Sequence, residues 1–235
     1  MGFDNLLVTP NPKVHRTLTR LAFLNMLHPF QPFILGQRNV AVLADSFDIN
    51  LVVYGEDDAE YEGVRGWQEK WELPDEPRIA GLTFAELTAR HGLASHDLTV
   101  YRPRRGSAER IALGNYLRWD PQSAYYYAVE HAGFEANEER TEGTYSKYNS
   151  IDDKLDPLHY FTMWVKWGIG RASHDASQEI RNGYLTREEG VALVHAYDGE
   201  IRESTVTWAC AYMGITVDEF WATIARFKKS YPVVS

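Results

Sequence analysis

The chain has 235 residues, of which 44% are hydrophobic and 24% are charged, proportions typical of a folded globular protein rather than a disordered one. Its formal net charge of −9 argues against nucleic acid or an anionic membrane as the main partner. The single cysteine, Cys210, excludes internal disulfides and multi-cysteine metal sites, and its apolar surroundings predict a packed residue rather than a nucleophile. There is neither a run of about 18 apolar residues nor a signal-peptide pattern, so we predict a cytoplasmic protein without a membrane span.

The N-terminal quarter alternates between predicted strands and helices. Residues 5–9 are predicted to form a short buried strand, and Asn11 is predicted to cap a helix that runs to about residue 27. A second helix is predicted after Gly36 and Gln37, to about residue 47. Residues 51–54 are continuously apolar, which favours a strand covered on both faces, as in a parallel α/β sheet.

The middle of the chain contains fewer regular patterns. Residues 56–82 are predicted to be a long acidic loop, Thr83 with Glu86 forms a capping box, and residues 102–110 are predicted to be a basic loop. Two strands are too few for a stable parallel sheet, so residues 114–119 are a candidate for a further strand. The alternative is that part of the sheet lies outside this sequence.

The remainder of the chain is predicted to be helical. Asp120 begins a helix that Gly133 ends, and further helices follow from Asp156 onward. Thr186 and Thr216 each open a capping box, which places the starts of the last helices.

The densest group of polar residues lies between 150 and 200. Residues 166–171 place two cations around two glycines, a turn in which backbone amides can approach an anion. On the helix that follows, Arg171, Asp175 and Glu179 are spaced by four and share one face. Two interpretations of this face stay open: a functional site, or a solvated surface with an ordinary ion pair between Arg171 and Asp175.

Other positions are weaker candidates for a site. Glu56 follows the strand at 51–54, and ligands of open α/β sheets bind beyond the carboxyl ends of strands, although an acidic surface loop is the alternative. Gly36 and Gln37 would let a ligand approach the backbone, but a helix boundary explains them equally well. The histidine spacings do not fit a zinc hydrolase, so no zinc is expected.

Several stretches of the chain resemble the N-acetyl sugar amidotransferase family of the PP-loop ATP pyrophosphatases. The matching stretches, in family order, are residues 8–13, 32–37, 53–56, 150–154, 166–171, 175–183, 186–189 and 197–200. The resemblance implies an α/β fold in which an incomplete PP-loop or Rossmann-like parallel sheet precedes a mainly helical C-terminal region. The implied organisation is part of a PP-loop domain at 1–62, long loops and a mixed insertion at 63–150, and a helical region at 151–235.

The resemblance also implies an enzyme that converts the N-acetyl group of a bacterial surface sugar into an acetamidino group. ATP would adenylate the amide oxygen and release pyrophosphate, and ammonia would then attack the activated carbon and expel AMP. The implied partners are a nucleotide-linked N-acetyl sugar and a glutaminase that supplies ammonia. The products would serve O-antigen, capsule or flagellar glycans.

Members of that family carry a Ser-Gly-Gly-x-Asp-Ser loop for the ATP phosphates and a cysteine-rich segment, and neither occurs here. The chain therefore resembles the C-terminal portion of the enzyme. A truncated or mis-called gene start, a split enzyme whose ATP loop lies on another chain, and an inactive remnant all stay open. So do a non-catalytic sugar-nucleotide-binding or scaffold subunit and a homo-oligomer.

Residue roles follow from the resemblance as hypotheses. Lys166, Arg171 and Asp175 form the expected catalytic group, in which the two cations act on phosphate or on developing charge. Asp152 and Asp153 are candidates for holding Mg²⁺, which prefers carboxylates together with substrate phosphates and water. The expected substrate contacts are Glu56, Lys154, Glu179, Arg181, Gly36 and Gln37.

Overall fold

The computed structural model describes residues 4–55, 76–104, 106–118 and 120–230 of the chain. The helices are α1 (Pro12–Met26), α2 (Gln31–Gln37), α3 (Val40–Asp45), α4 (Phe84–His91), α5 (Pro121–Ala132), α6 (Asp156–Trp167), α7 (Arg171–Asn182), α8 (Arg187–Tyr197), α9 (Glu203–Met213) and α10 (Val217–Ser230). The strands are β1 (Leu51–Tyr54), β2 (Arg78–Ile79), β3 (Leu82–Thr83) and β4 (Glu109–Ala112). The fold is mixed α/β with a mainly helical C-terminal region, as the sequence predicts. No helix in the described ranges combines the length and apolar character needed to span a bilayer.

The first helix follows its sequence signals closely. The Asn11 side chain accepts a hydrogen bond from the backbone N–H of Lys13, and α1 ends at Leu27, whose φ of 49° is left-handed. The second predicted helix is wrong in its bounds. Helix α2 already begins at Gln31, the chain turns between the two helices, and α3 ends at Asp45. Gly36 and Gln37 therefore belong to the last turn of α2 and do not precede a helix.

The parallel sheet is smaller than the sequence suggests. Strand β1 pairs in parallel with β4, from Leu51 opposite Glu109 to Tyr54 opposite Ala112. Residues 5–9 and the described part of 114–119 form no strand, so both strand predictions are wrong, and β4 begins inside the predicted basic loop. The prediction that 51–54 is covered on both faces is also wrong, because Leu51 and Val53 are 47% and 51% exposed.

A second, antiparallel ladder lies within the segment that was predicted to be a loop. Strands β2 and β3 pair through Ile79 and Leu82, and this short hairpin leads directly into α4. The capping box at the start of α4 is confirmed, since the Thr83 hydroxyl accepts from the backbone N–H of Glu86 at 3.1 Å while the Glu86 carboxylate accepts from the N–H of Thr83 at 3.0 Å.

Helix α1 contributes to two separate hydrophobic cores. The first core packs its Val14, Leu18, Leu21 and Ala22 against α2, the hairpin, α4 and the segment 93–101. The second core packs its Phe23 and Leu27 against α6, α9 and α10. The rings of Phe23 and Phe220 stack with centroids 5.0 Å apart in this second core.

The sequence correctly predicts the starts of α5, α6, α8 and α10 and the end of α5. Capping boxes open α8 at Thr186 and α10 at Thr216, and glycines in left-handed conformation end α5, α6, α7 and α9. Cys210 is 4% exposed in the second core, which confirms it as a packed residue. Burial raises the pKa of its thiol, so it is less nucleophilic than an ordinary cysteine at neutral pH.

Candidate functional site

The segment between α5 and α6 is irregular in backbone and polar in sequence, yet much of it is buried. We call residues 140–150 the polar loop; Thr141, Glu142, Thr144 and Ser146 within it are all buried. Side chains of the loop satisfy its own backbone, for example the Thr141 hydroxyl donates to the carbonyl of Asn149 at 2.7 Å. Such pairing is needed because a buried polar group without a partner costs about 1–3 kcal/mol.

Two acidic residues attach the polar loop to the segment that follows α8. Glu200 accepts two hydrogen bonds from the Arg140 guanidinium, both 2.7 Å long, and one from the backbone N–H of Gly143 at 3.1 Å. Glu142 accepts from the Thr205 hydroxyl at 2.7 Å and from the backbone N–H of Arg202. Bidentate arginine–carboxylate pairs fix the relative orientation of the two groups as well as their distance. The polar loop is therefore held in a defined position against the segment after α8.

The turn at 166–171 does receive an anion at its backbone amides, but that anion belongs to the chain. The Asp198 carboxylate accepts from the N–H of Gly170 at 3.0 Å, from the N–H of Ser173 at 3.3 Å and from the Ser173 hydroxyl at 2.6 Å. A Cβ atom at Gly170 would lie 2.4 Å from Asp198 Oδ1, so glycine is required there. The start of α7 is therefore capped by a carboxylate from within the chain.

Asp175 lies at the centre of a buried polar cluster. Its carboxylate accepts from Arg171 Nε at 2.8 Å and from the Thr144 hydroxyl at 2.5 Å. Burial alone would raise the pKa of Asp175, but hydrogen bonding from His174, the charge of Arg171 and the Thr144 hydroxyl together hold that pKa below its ordinary value. Arg171 and Asp175 do form an ion pair between positions four apart on the helix. The pair is buried rather than solvated, because its side chains are only 15% and 4% exposed.

A second buried carboxyl, which the sequence did not single out, lies close enough to Arg171 to be influenced by its charge. Asp156 begins α6 and is 8% exposed, and the Arg171 guanidinium lies 5.5 Å from the centre of the Tyr160 ring on the same helix. Burial raises the pKa of Asp156 to about 6, against the effect of a hydrogen bond from Ser150, and Asp153 and Asp152 raise it further. A raised pKa at this depth reflects a carboxyl that is costly to ionise.

A cleft opens between the start of α5, the polar loop and the exposed side of α7. The cleft is shallow, with an enclosed volume of only about 10 Å³, roughly the space of one water molecule. Hydrogen-bonding side chains dominate its lining, which consists of Asp120, Pro121, Gln122, Tyr148, Asn149, Asp175, Gln178, Glu179, Asn182 and Tyr184. The predicted residues Asp175 and Glu179 thus share one cleft.

The walls of this cleft are held in place by hydrogen bonds and stacking. The Tyr184 hydroxyl donates to Asp120 at 2.8 Å, and the Tyr148 hydroxyl donates to Gln122 at 2.9 Å. The Tyr148 ring stacks on Tyr125 of α5 with centroids 4.4 Å apart. The cleft is therefore formed before any ligand arrives, which lowers the entropic cost of binding.

Among the acidic groups that line the cleft, Glu179 is the one whose charged form the surrounding chain stabilises least. Burial raises the pKa of Glu179, and nearby Asp175 raises it further, while the Tyr145 hydroxyl opposes both effects. A carboxylate with a raised pKa binds a proton or a hydrogen-bond donor more readily than an ordinary one.

The other predicted residues lie away from this cleft. Lys166 Nζ donates to the carbonyl of Met26 at 3.0 Å and does not line the cleft. Asp152, Lys154 and Arg181 are exposed. Gly36 and Gln37 line a large, mainly apolar groove of about 1360 Å³ beside β1, and Glu56 lies outside the described residues.

Asp152 and Asp153 can be compared with the requirements of a metal site. Asp153 already accepts a hydrogen bond from the N–H of Leu155 at 2.7 Å. No group of three or more histidine, cysteine, aspartate or glutamate side chains suited to a metal occurs within the described residues. Two adjacent carboxylates remain compatible with Mg²⁺, which keeps several waters and takes other ligands from substrate.

Much of the cleft could not be identified from the sequence. Gln122, Tyr148, Asn149, Gln178 and Tyr184 form no motif and come from separate elements. Asp120 was identified only as a helix cap, which it is, because its side chain accepts from the N–H of Ser123 at 3.1 Å. The sequence of the polar loop is rich in threonine, serine and tyrosine, but that composition does not indicate burial.

A protein-family model matches the part of the chain that contains the buried polar cluster and most of the cleft. Residues 142–232 match the model of the C-terminal domain of WbpG-like lipopolysaccharide (LPS) biosynthesis proteins. A search of curated proteins gave no match. The polar loop from Glu142 onward and helices α6 to α10 thus form a region similar to the C-terminal domain of proteins that act in LPS biosynthesis.

Proposed function

We propose that this chain supplies the sugar-binding portion of an ATP-dependent N-acetyl sugar amidotransferase of LPS biosynthesis. The observation that carries the proposal is the cleft beside α7, which brings Asp175 and Glu179 together with amide and tyrosine side chains. The similarity of residues 142–232 to LPS biosynthesis proteins supports the broader assignment.

The chemistry of the cleft suits a sugar better than an apolar or strongly charged ligand. Sugar hydroxyls and an acetamido group each donate and accept hydrogen bonds, and amides, carboxylates and tyrosines offer both functions. The enclosed volume is only about 10 Å³, far below that of a pocket that surrounds its ligand, so a sugar would contact the polar lining from the open side. Most of a nucleotide-linked sugar would therefore lie outside the cleft.

The buried cluster would position the cleft rather than react within it. Both oxygens of Asp175 accept hydrogen bonds from the chain, and the charge of Arg171 is balanced by that carboxylate. Glu179 is the better candidate for contact with an amide N–H or an incoming ammonium, because its pKa is raised by burial. In the proposed reaction the amide oxygen attacks the α-phosphorus of ATP, pyrophosphate leaves, and ammonia from a glutaminase then displaces AMP.

The first test is binding of a nucleotide-linked N-acetyl sugar to the full chain. UDP-N-acetylglucosamine and UDP-glucose, which lacks the acetamido group, would be compared by isothermal titration calorimetry. We expect the N-acetyl sugar to bind more tightly, and Glu179→Gln to weaken that binding about tenfold. Glu188→Gln, on the exposed surface of α8, is the matched control and should bind as the unaltered chain does.

Two results would overturn the proposal. One is that nucleotide-linked N-acetyl sugars of several configurations all fail to bind. The other is that Glu179→Gln and Glu188→Gln weaken binding equally, which would place the ligand outside the cleft.

A non-catalytic sugar-binding subunit is the second candidate, and the absence of a Ser-Gly-Gly sequence favours it. ATP–pyrophosphate exchange in the presence of the sugar separates the two. Exchange by the chain together with a partner that carries the ATP loop supports the amidotransferase. Sugar binding without exchange under those conditions supports the non-catalytic subunit.

A further inference from the structure

Gln178, in the middle of α7, has an amide group whose hydrogen bonding is incomplete. The residue is 5% exposed, and its Nε2 atom is buried without a hydrogen-bond partner in the part of the chain that the structure describes. Asp175 lies one turn before it and Asn182 one turn after it, and all three side chains line the cleft. Because buried polar atoms are nearly always paired, we expect a partner from outside the chain at this nitrogen.

The enclosed part of the cleft limits the size of that partner. Its volume of about 10 Å³ is about that of one water-sized group. A sugar ring, an acetamido group or a phosphate is too large to enter it, but a single oxygen of a larger molecule on the open side can do so. The partner is therefore a water molecule or one oxygen of a ligand.

The lining determines the chemistry of this oxygen. Asp120, Asp175 and Glu179 contribute carboxylates, which accept hydrogen bonds and repel a further anion. Both oxygens of Asp120 and of Asp175 already accept hydrogen bonds from the chain, so Glu179 is the carboxylate most open to a ligand. The N–H donor of Gln178 and this acceptor together require a group that both accepts and donates. A hydroxyl or a water molecule does both, whereas a carbonyl only accepts and an ammonium only donates.

We propose that Gln178 is a specificity-determining residue that holds one hydroxyl of the bound sugar, and that a water molecule takes the same position in the free chain. The hydroxyl accepts from Gln178 Nε2 and donates to Glu179, whose carboxylate can accept a further hydrogen bond from an amide N–H. For the identity of the ligand the inference rests on the proposed function, but the water site does not depend on any sugar. A sugar without this hydroxyl leaves the buried amide unpaired, so such a site discriminates strongly against it.

The binding test is a thermodynamic cycle on the full chain, measured by isothermal titration calorimetry. The ligands are UDP-N-acetylglucosamine and its monodeoxy analogues, each of which lacks one hydroxyl of the sugar. We expect one analogue to bind the unaltered chain about tenfold more weakly than the parent compound does. Gln178→Met keeps the length of the side chain but removes the donor, so the parent and that analogue should bind this variant equally. The matched control is Ser177→Ala, at an exposed position of the same helix, which should keep the full preference.

A crystal structure of the full chain without ligand provides a readout that needs no sugar. We expect a water molecule about 3 Å from Gln178 Nε2 in the unaltered chain, and none at that position in Gln178→Met. Circular dichroism checks that the variant is folded, and Gln178→Leu replaces it if it is not. A purely structural role for Gln178 would place a group of the chain itself beside Nε2 instead of water.

The possible results separate this inference from the proposed function. Equal weakening of the parent and of every analogue in Gln178→Met would overturn the inference and leave the sugar cleft in place. A group of the chain paired with Nε2 in the crystal would also overturn it. If the water molecule is present but no nucleotide-linked N-acetyl sugar binds, the proposed function and the hydroxyl contact are both wrong, and only the water site stands.

Discussion

Val53 lies in a run of four apolar residues and is about half exposed, whereas Thr144 lies in an irregular polar segment and is fully buried. The difference lies in the partners that the rest of the chain provides. Strand β1 pairs with β4 alone among the described strands. Thr144 has a specific acceptor in Asp175, so its hydroxyl can be buried without loss of hydrogen bonding. Burial in this protein thus follows from long-range pairing more than from the polarity of a residue.

The two regions also hold ion pairs of the same spacing in different surroundings. Arg90 and Glu86 on α4 are 2.8 Å apart and largely exposed, while Arg171 and Asp175 on α7 are 2.8 Å apart and buried. Equal geometry therefore gives unequal energy, because solvent screens the first pair and is excluded from the second.

The largest predicted effect tests the comparison between the exposed and the buried ion pair. Arg171→Met leaves the Asp175 carboxylate buried without its cation, so we expect a loss of about 3–5 kcal/mol in the free energy of unfolding. Arg90→Met should cost at most about 0.5 kcal/mol, since exposed helical pairs contribute little. Urea denaturation of the two variants measures both values. Equal losses would show that the pair on α7 is solvated after all.

A second prediction concerns the cost of the buried carboxyl at Asp156. Its pKa is raised in the folded chain, so its contribution to stability is most favourable at low pH, where the group is protonated in both states, and declines as the pH rises through about 6. Asp156→Asn removes that cost and should stabilise the chain by about 2–3 kcal/mol at pH 8. The gain should vanish near pH 3.5. Thermal unfolding across this pH range checks the prediction, and a gain that does not depend on pH would contradict it.

A third prediction compares two glycines that stand in different environments. Gly170→Ala places a methyl group against Asp198 and should cost about 1–3 kcal/mol, whereas Gly36 has no atom within 4 Å of its added Cβ. Gly36→Ala, within α2, should stabilise the chain by about 0.5–1 kcal/mol. Chemical denaturation gives both signs. Gly170→Ala should cost less stability when Asp198→Ala is already present, because the steric clash is then removed. Losses that simply add in the double variant would count against this explanation.

The smallest expected difference is between two helix caps. Thr83→Ala at α4 and Thr186→Ala at α8 each remove half of a capping box. Each should cost about 1 kcal/mol, because the interaction is local and does not depend on the region around it. The denaturation midpoints of the two variants should decrease by the same amount. A clear difference would show that tertiary contacts also determine the strength of a cap.

These comparisons explain which features could be predicted from the sequence. Helix boundaries such as Asn11, Thr83 and Thr186 depend on residues within one turn, and the structure confirms them. Residues 5–9 have a strand-like composition but no partner strand, and a strand requires one. The four-residue spacing of Asp175 and Glu179 placed both on one face, and they do share the cleft.

The remaining features of the site depend on residues that are distant in sequence. Asp198 caps α7 across 28 positions, and Thr144 reaches Asp175 across 31. Asp156 has a raised pKa only because the fold buries it. No local sequence pattern indicates such contacts, so the polar loop and most of the cleft could not be predicted from the sequence.

The double role of α1 has a practical consequence for dissecting the molecule. Residues 142–232 would make a natural fragment to express alone, but the surface that Phe23 and Leu27 cover would then face water. Phe220 would lose the stacked ring of Phe23, and the fragment would tend to self-associate through that apolar face. Any excised piece should therefore carry α1 with it.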